Sequence, residues 1–288
     1  MRYRSSTCSN KADLHGSSSL SLVFSFGRTL QVTLRWLCLA AAPRTFCNGY
    51  TISISGIPCH RVPLRPKDDN GPFCLAVSSA MDLMNAKEFQ GGAPLNFLAS
   101  QVWPSARVAA FALETYYLDL AQSTICEFGC GPGLPSLAAA KWGASKVIAT
   151  DLDPLALQLV ERASKEQHLD HVVTTQRFDL TANLDQEDGD YTKTIPKANL
   201  YLFSDVFESS HVAMGAAQVS RIILQSSDTA KIWVFAQSDR AAREDYLKAM
   251  KTHLGNDSLK WTPLDQYESE DSCRLTLFDI DETTVKYT

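Results

Sequence analysis

The sequence predicts an α/β fold, a Rossmann-like doubly wound sheet, and three observations predict it. Apolar strand runs alternate with helical periodicity from about Ser123 to Gly255, the pattern of parallel strands joined by crossover helices. The run Ile125-Cys126-Glu127-Phe128 passes directly into Gly129-Cys130-Gly131-Pro132-Gly133, a strand that opens into glycines at alternate positions. Acids then follow the later strands, at Asp151, Asp179 and Asp205.

Each element has its own signal. Glycines at alternate positions let the chain turn tightly and approach a ligand without Cβ interference. Leu134 to Trp142 can form a helix that Gly143 ends, and its N-terminus is expected to offer unpaired N–H groups. Lys146 to Thr150 is a second strand, ending at Asp151. Asp153 is an N-cap and Pro154 sits where a helix needs no amide. Ala156, Leu159, Val160 and Ala163 then recur at helical spacing, an apolar face for the sheet. Val172 to Phe178 reads as a third strand and Asn199 to Phe203 as a fourth. Lys231 to Ala236 is a fifth, with Ser238 or Asp239 expected to cap a helix running to about Leu254 and stopping at Gly255. Leu259 to Thr262 and Cys273 to Ile280 complete the set. No helix signal separates these two, so they are expected to form a terminal hairpin with an antiparallel C-terminal strand. Upstream, Tyr50 to Ser55 alternates like a strand.

The loop chemistry narrows the ligand. A dinucleotide-binding G-x-G-x-x-G turn needs glycine or alanine at position 134, where this chain has Leu134. A pyrophosphate gains nothing from Glu127 beside the loop. S-adenosylmethionine does, because it has no phosphate and carries a sulfonium and an α-ammonium group. Asp151, at the carboxyl end of the second strand, can accept both ribose hydroxyls of a nucleoside. Asp179 can accept from the exocyclic amine of adenine.

The order Glu127-x-Gly129-x-Gly131-x-Gly133, with an acid after each of the next three strands, resembles the class I, seven-strand S-adenosylmethionine-dependent methyltransferases. The resemblance runs from roughly Leu95 to the C-terminus and implies their seven-strand sheet. Gln101-Val102-Trp103-Pro104-Ser105-Ala106-Arg107 resembles one branch, the seven-strand protein-lysine methyltransferases. Gly143 to Pro154 is similar to the electron-transfer-flavoprotein β-subunit lysine methyltransferases and their bacterial relatives. The resemblance implies S-adenosyl-L-methionine as cofactor. Trp103 would lie against it, Glu127, Gly129, Gly131 and Gly133 would hold its amino-acid end, and Asp151 its ribose, with Asp179 and Ser204 completing the site. It also implies a protein substrate carrying a target lysine. The chain departs from the branch at Glu208, where Asp-x-x-Tyr is usual, and at Leu180, where a tryptophan is usual. The lost tyrosine keeps a small-molecule N- or O-methyltransferase as the alternative.

Methyl transfer to an amine requires a neutral nitrogen, so a carboxylate near the acceptor can orient it and pass its proton to water. Asp205 and Glu208, past the fourth strand, are the candidate catalytic residues, because ligands meet the carboxyl ends of parallel strands.

Composition bounds the rest. The chain has 288 residues and 45% apolar content, enough for one catalytic domain and an extension. Residues 1 to 67 hold nine Lys or Arg and one acid, Asp13, whereas the remainder holds 18 basic and 31 acidic residues. So acidic a body argues against a nucleic-acid substrate. Residues 1–48 are Ser- and Arg-rich and nearly acid-free, the composition of a transit peptide, with a disordered leader as the alternative; mitochondrion is the expected compartment and cytoplasm the alternative. Arg28 and Arg35 interrupt the apolar stretch Leu20 to Ala42, so a membrane span is not expected. Residues 49–94 are expected to pack on a catalytic domain formed by 95–288. Eight cysteines and six histidines show no ligand spacing, so no metal is expected. A monomer is expected.

Overall fold

The computed structural model describes residues 52–78, 98–117, 119–182, 194–267, 273–281 and 284. The expected leader lies outside them, and Gly49–Thr288 forms one compact unit. Three strands open it: β1 (Ile52–Ile54), β2 (Ile57–Pro63) and β3 (Phe73–Val77), paired antiparallel in that order. Helix α1 follows (Pro104–Tyr116), then β4 (Thr124–Phe128), α2 (Leu134–Lys141), β5 (Lys146–Asp151) and α3 (Pro154–Glu166). The second half holds β6 (Val173–Arg177), β7 (Leu200–Ser204), α4 (Ser210–Ser226), β8 (Lys231–Gln237), α5 (Arg243–Leu254), β9 (Thr262–Pro263) and β10 (Leu275–Ile280).

Strands β4 to β10 form a seven-stranded sheet in the order β6-β5-β4-β7-β8-β10-β9. The reversal between β4 and β7 makes it doubly wound, and strand ends meet a crevice at such a switch point. Alternation along β4 divides the core. Cys126 and Phe128 face one side with Tyr201 and Phe203 of β7, under Ala213, Ala217 and Tyr246 of α4 and α5. Ile125 faces the other with Val147, Leu200 and Leu202, under Val108 and Leu113 of α1. Burial on both faces explains why β4 and β7 read as continuous apolar runs.

The antiparallel three-stranded sheet extends the second side. Ile54, Ile57, Cys74 and Leu75 share a buried cluster with Leu134, Leu137 and Ala138 of α2 and Leu155, Ala156 and Leu159 of α3. Arg107 of α1 anchors it by donating to the carbonyls of Pro63 and Leu64, both at 2.9 Å. Of the expected 49–94 extension, residues 49–51 and 79–94 lie outside the described residues.

The caps mostly follow the sequence. Asp153 accepts from the Leu155 amide at 2.8 Å, and Gly143 and Gly255 take φ of 101° and 59° at helix ends. Two expectations are corrected. Helix α5 begins at Arg243, because the Ser238 hydroxyl is committed to Asp279 Oδ1 at 2.9 Å and the chain makes a turn before the helix starts. The terminal strands are not an antiparallel hairpin: β10 inserts between β8 and β9 and pairs parallel to both. Tyr267, shortly after β9, packs on Trp233 and on Phe278, with ring centroids 6.1 and 4.9 Å apart. Among the described residues no helix is long and apolar enough to cross a membrane.

Candidate functional site

A cavity of about 580 Å³ opens at the carboxyl ends of β4, β5 and β7, within the usual range of small-molecule sites. Its lining includes Trp103, Glu127, Gly129, Gly131, Asp151, Asp179, Ser204, Asp205 and Glu208. Of the residues singled out in the sequence, Gly133 alone is not on its wall. Apolar side chains, among them Leu98, Val102 and Leu152, line it as well.

The glycines divide by role. A Cβ on Gly129 would come within 2.6 Å of Val206, and one on Gly133 within 2.5 Å of Val160. These two glycines are required by the protein's own packing. On Gly131 a Cβ would find nothing nearer than Ala99 at 3.8 Å, so only its φ of 51° and the ligand space argue for glycine. All three adopt positive φ.

The expected row of free amides is not there. Cys130 N donates to the Thr150 carbonyl, Gly133 N to the Cys130 carbonyl and Gly131 N to Asp151 Oδ2. Pro132 and Pro135 have no amide hydrogen. The Ser136 amide, in the first turn of α2, donates to Glu127 Oε2 at 3.0 Å, and the Ser136 hydroxyl reaches the same oxygen at 2.5 Å. The protein thus spends its helix N-terminus on its own carboxylate, and little remains for a phosphate.

Glu127 itself is fully buried, and its second oxygen, Oε1, has no partner. Burial pushes its carboxyl up to about 8, against the pull of the Ser136 bonds. Asp151 is half-buried, with Oδ1 accepting from Asp153 N and Oδ2 from Gly131 N, both at 2.9 Å. Desolvation raises its pKa as well. Each of its oxygens retains a lone pair for a hydroxyl donor. Asp179 uses Oδ1 for the amide and hydroxyl of Thr181, at 2.8 and 2.7 Å. The buried Ser204 hydroxyl has no partner.

The acceptor-side expectation for Asp205 is revised. Its carboxylate is fully buried and meets Arg240 through both oxygens, with Nε to Oδ1 and Nη2 to Oδ2 each at 3.0 Å. Gln237 adds a third donor at 2.8 Å. Such a carboxylate is already neutralised and oriented, and these bonds hold Asp205 at a φ of 62°. Glu208 is different: the residue is exposed at the mouth, while the cavity wall beside it partly desolvates its carboxyl and lifts it above the usual range. Arg240 and Ser136 carry much of this geometry and were not singled out from the sequence. Arg240 was hidden in a Ser-Asp-Arg stretch that reads as a helix cap. Ser136 could have been found as a hydroxyl at the third helical position after a strand-end acid.

Asp151, Asp153, Asp179 and Glu208 add to Glu127 around the cavity, and Arg240 is the one Lys or Arg among the described lining residues. The arrangement suits a cationic, phosphate-free ligand with hydroxyl donors. Fit to the amino-acid end of S-adenosylmethionine rests on one atom, the orphaned Oε1 of Glu127, whose missing partner an ammonium group would supply. Among the described residues no cluster could hold a metal ion.

Comparisons with known proteins fall on this region. Residues 104–193 match the family model of the ribosomal protein L11 methyltransferase, PrmA. The chain is similar to the ribosomal protein L11 methyltransferase of Colwellia psychrerythraea, 61% identical over 41 residues, 14% of each chain. Another, from Vibrio vulnificus, is 36% identical over 106 residues, 37% of this chain and 30% of that one. The matches therefore span less than a third of these relatives' length. A ribosomal protein L11 methylase from Lactobacillus delbrueckii superposes with a TM-score of 0.33 at 17% identity, over 44% of this chain and 57% of the other.

Proposed function

We propose that the chain is an S-adenosylmethionine-dependent methyltransferase acting on a lysine of a protein. The observation that carries the cofactor assignment is the buried, unpartnered Oε1 of Glu127, set in a cavity that Asp151, Asp153, Asp179 and Glu208 also line. Matching relatives named for methylation of a ribosomal protein support a protein acceptor. Kinship with the electron-transfer-flavoprotein β-subunit lysine methyltransferases belongs to this reading and rests on Trp103-Pro104 and on Gly143 to Pro154.

In this reading Glu127 accepts the α-ammonium group, Asp151 the ribose hydroxyls and Asp179 the adenine amine, with Trp103 and Leu152 as apolar walls. Bound there, S-adenosylmethionine supplies an activated methyl on a sulfonium. Position and exclusion of water are the protein's main contributions. Glu208, at the mouth, is the carboxylate open to an incoming amine. It orients the nitrogen and passes its proton to water. Asp205 acts through Arg240 and not on the acceptor. A small-molecule acceptor is the second reading, favoured by Glu208 standing where the related branch has a tyrosine.

Two measurements test this. Isothermal titration should show S-adenosylhomocysteine binding, weakened by ~1–3 kcal/mol in Asp151→Ala through loss of a charged acceptor. Tight binding of NAD with no response to S-adenosylhomocysteine would overturn the methyltransferase reading. Incubation with radiolabelled S-adenosylmethionine and a cell lysate should put label into protein. Label confined to small molecules would replace the lysine reading with the second one.

A further inference from the structure

The cavity is roofed by a contact between parts of the chain far apart in sequence. Arg240, in the turn after β8, lies with its guanidinium carbon 4.8 Å from the centroid of the Trp103 ring, at the N-cap of α1. Its other partner is Asp205, after β7, through the two-pronged bond already described. Trp103 in turn donates its indole N–H to the Leu98 carbonyl at 3.0 Å, which ties down the short turn Leu98–Ser100. Leu98, Ala99, Val102, Trp103, Asp205 and Arg240 all line the cavity. The fixed end of this chain of contacts is Asp205, anchored in the sheet and held by Gln237 as well. The wall it reaches is exposed: Leu98 shows 46% of its surface to solvent.

We propose that Arg240 is a positioning residue that clasps the Leu98–Trp103 wall over the glycine loop and so retains the bound cofactor. The proposal rests on the methyltransferase reading but uses a different set of residues. A planar guanidinium suits the task, because it can form the two-pronged bond in its plane and stack an aromatic ring on its face. Its partial burial strengthens both contacts relative to open solvent. The clasp also explains an otherwise costly arrangement: a non-glycine residue in left-handed backbone, Asp205, is kept where its carboxylate meets the Arg240 fork.

The test is a double-mutant cycle on the full chain, with two readouts. First, without ligand, Arg240→Met should raise amide exchange several-fold in residues 98–107 and leave residues 124–137 unchanged. Arg240→Lys, which keeps the charge over the ring but loses the fork, should fall between. Second, by titration with S-adenosylhomocysteine, Arg240→Met and Trp103→Leu should each raise Kd by about threefold or more. The combined variant should be little worse than the weaker-binding single one, because both break the same clasp. Unchanged exchange in a folded Arg240→Met or Arg240→Lys protein overturns the proposal, and so do additive losses in the cycle. A native chain that binds no S-adenosylhomocysteine defeats the methyltransferase reading, while the exchange result still decides whether the clasp exists.

Discussion

Ser136 donates twice to one oxygen of Glu127, through amide and hydroxyl, and the other oxygen is left buried without a partner. That relationship makes Glu127 a helix-terminal acceptor with one buried oxygen to spare. It also makes stability depend on pH.

Burial raises the Glu127 carboxyl from 4.5 to about 8, so between these values the folded chain holds a proton that the unfolded chain has released. Stability from this group is therefore present at low pH and lost as pH rises through the window. Glu127→Gln, which stays neutral, should flatten the fall in melting temperature over that range. Ligand binding should act the other way, because an ammonium group favours the ionised carboxylate. Titrations of S-adenosylhomocysteine at neutral pH, in buffers of different ionisation enthalpy, should report proton release in the native chain and none from this site in Glu127→Gln. The variant should bind more weakly by ~1–3 kcal/mol. Equal affinities would move the ammonium away from Glu127.

The loop glycines should separate into fold and ligand positions. Gly131→Ala should cost about 1–2 kcal/mol for left-handed backbone, leave the chain folded and weaken S-adenosylhomocysteine. Gly133→Ala meets Val160 of α3 as well and should lose about 1–3 kcal/mol more through overpacking. Denaturant melts beside binding curves check this, and a Gly131→Ala protein with native affinity would mean that the ligand does not approach the loop.

Much of this site was legible in the sequence because it depends on local rules. Alternating glycines, an acid before them, and acids at strand ends are set by neighbours within a few residues, and all but Gly133 reach the cavity wall. The terminal strands depart from the expected hairpin: β10 inserts between β8 and β9, pairing with a strand some forty residues earlier in the chain. No local signal distinguishes it from a hairpin. Asp205 lines the cavity, but its bond to Arg240 joins residues 35 apart and no local rule announces it. The three-stranded sheet was half legible: β1 alternates, but β3 is apolar throughout and has no period.

That sheet makes the truncation points unequal. A chain beginning at Gly49 keeps the cluster of Ile54, Ile57 and Leu75 against Leu137 and Leu159 and should fold and bind S-adenosylhomocysteine. One beginning at Leu95 exposes the α2 and α3 side of that cluster and should aggregate. Size-exclusion profiles of the two distinguish them, and a soluble, active 95–288 fragment would make the sheet dispensable. Residues 1–50 fused to a fluorescent protein should reach mitochondria; a diffuse cytosolic signal would withdraw that compartment.

The acceptor side offers the sharpest division between Asp205 and Glu208. Asp205→Asn leaves the shape but takes the charge from a bond that Arg240 needs. It should lower stability by about 1–3 kcal/mol and weaken the cofactor, with a rate loss no larger than the loss of binding explains. Glu208→Gln should leave S-adenosylhomocysteine affinity near native and lower the rate roughly 10²-fold, the scale of a general acid–base group. Because desolvation raises the Glu208 carboxyl, the acid limb of the native rate profile should lie above the usual carboxylate range, and Glu208→Gln should remove it. Glu208→Tyr, which restores the residue of the related branch, should lower activity on the native acceptor if the carboxylate handles the amine, and hold or raise it if position 208 only forms a wall. A large rate loss in Asp205→Asn with native cofactor affinity would return Asp205 to the acceptor, and unchanged pH profiles in Glu208→Gln would remove Glu208 from it.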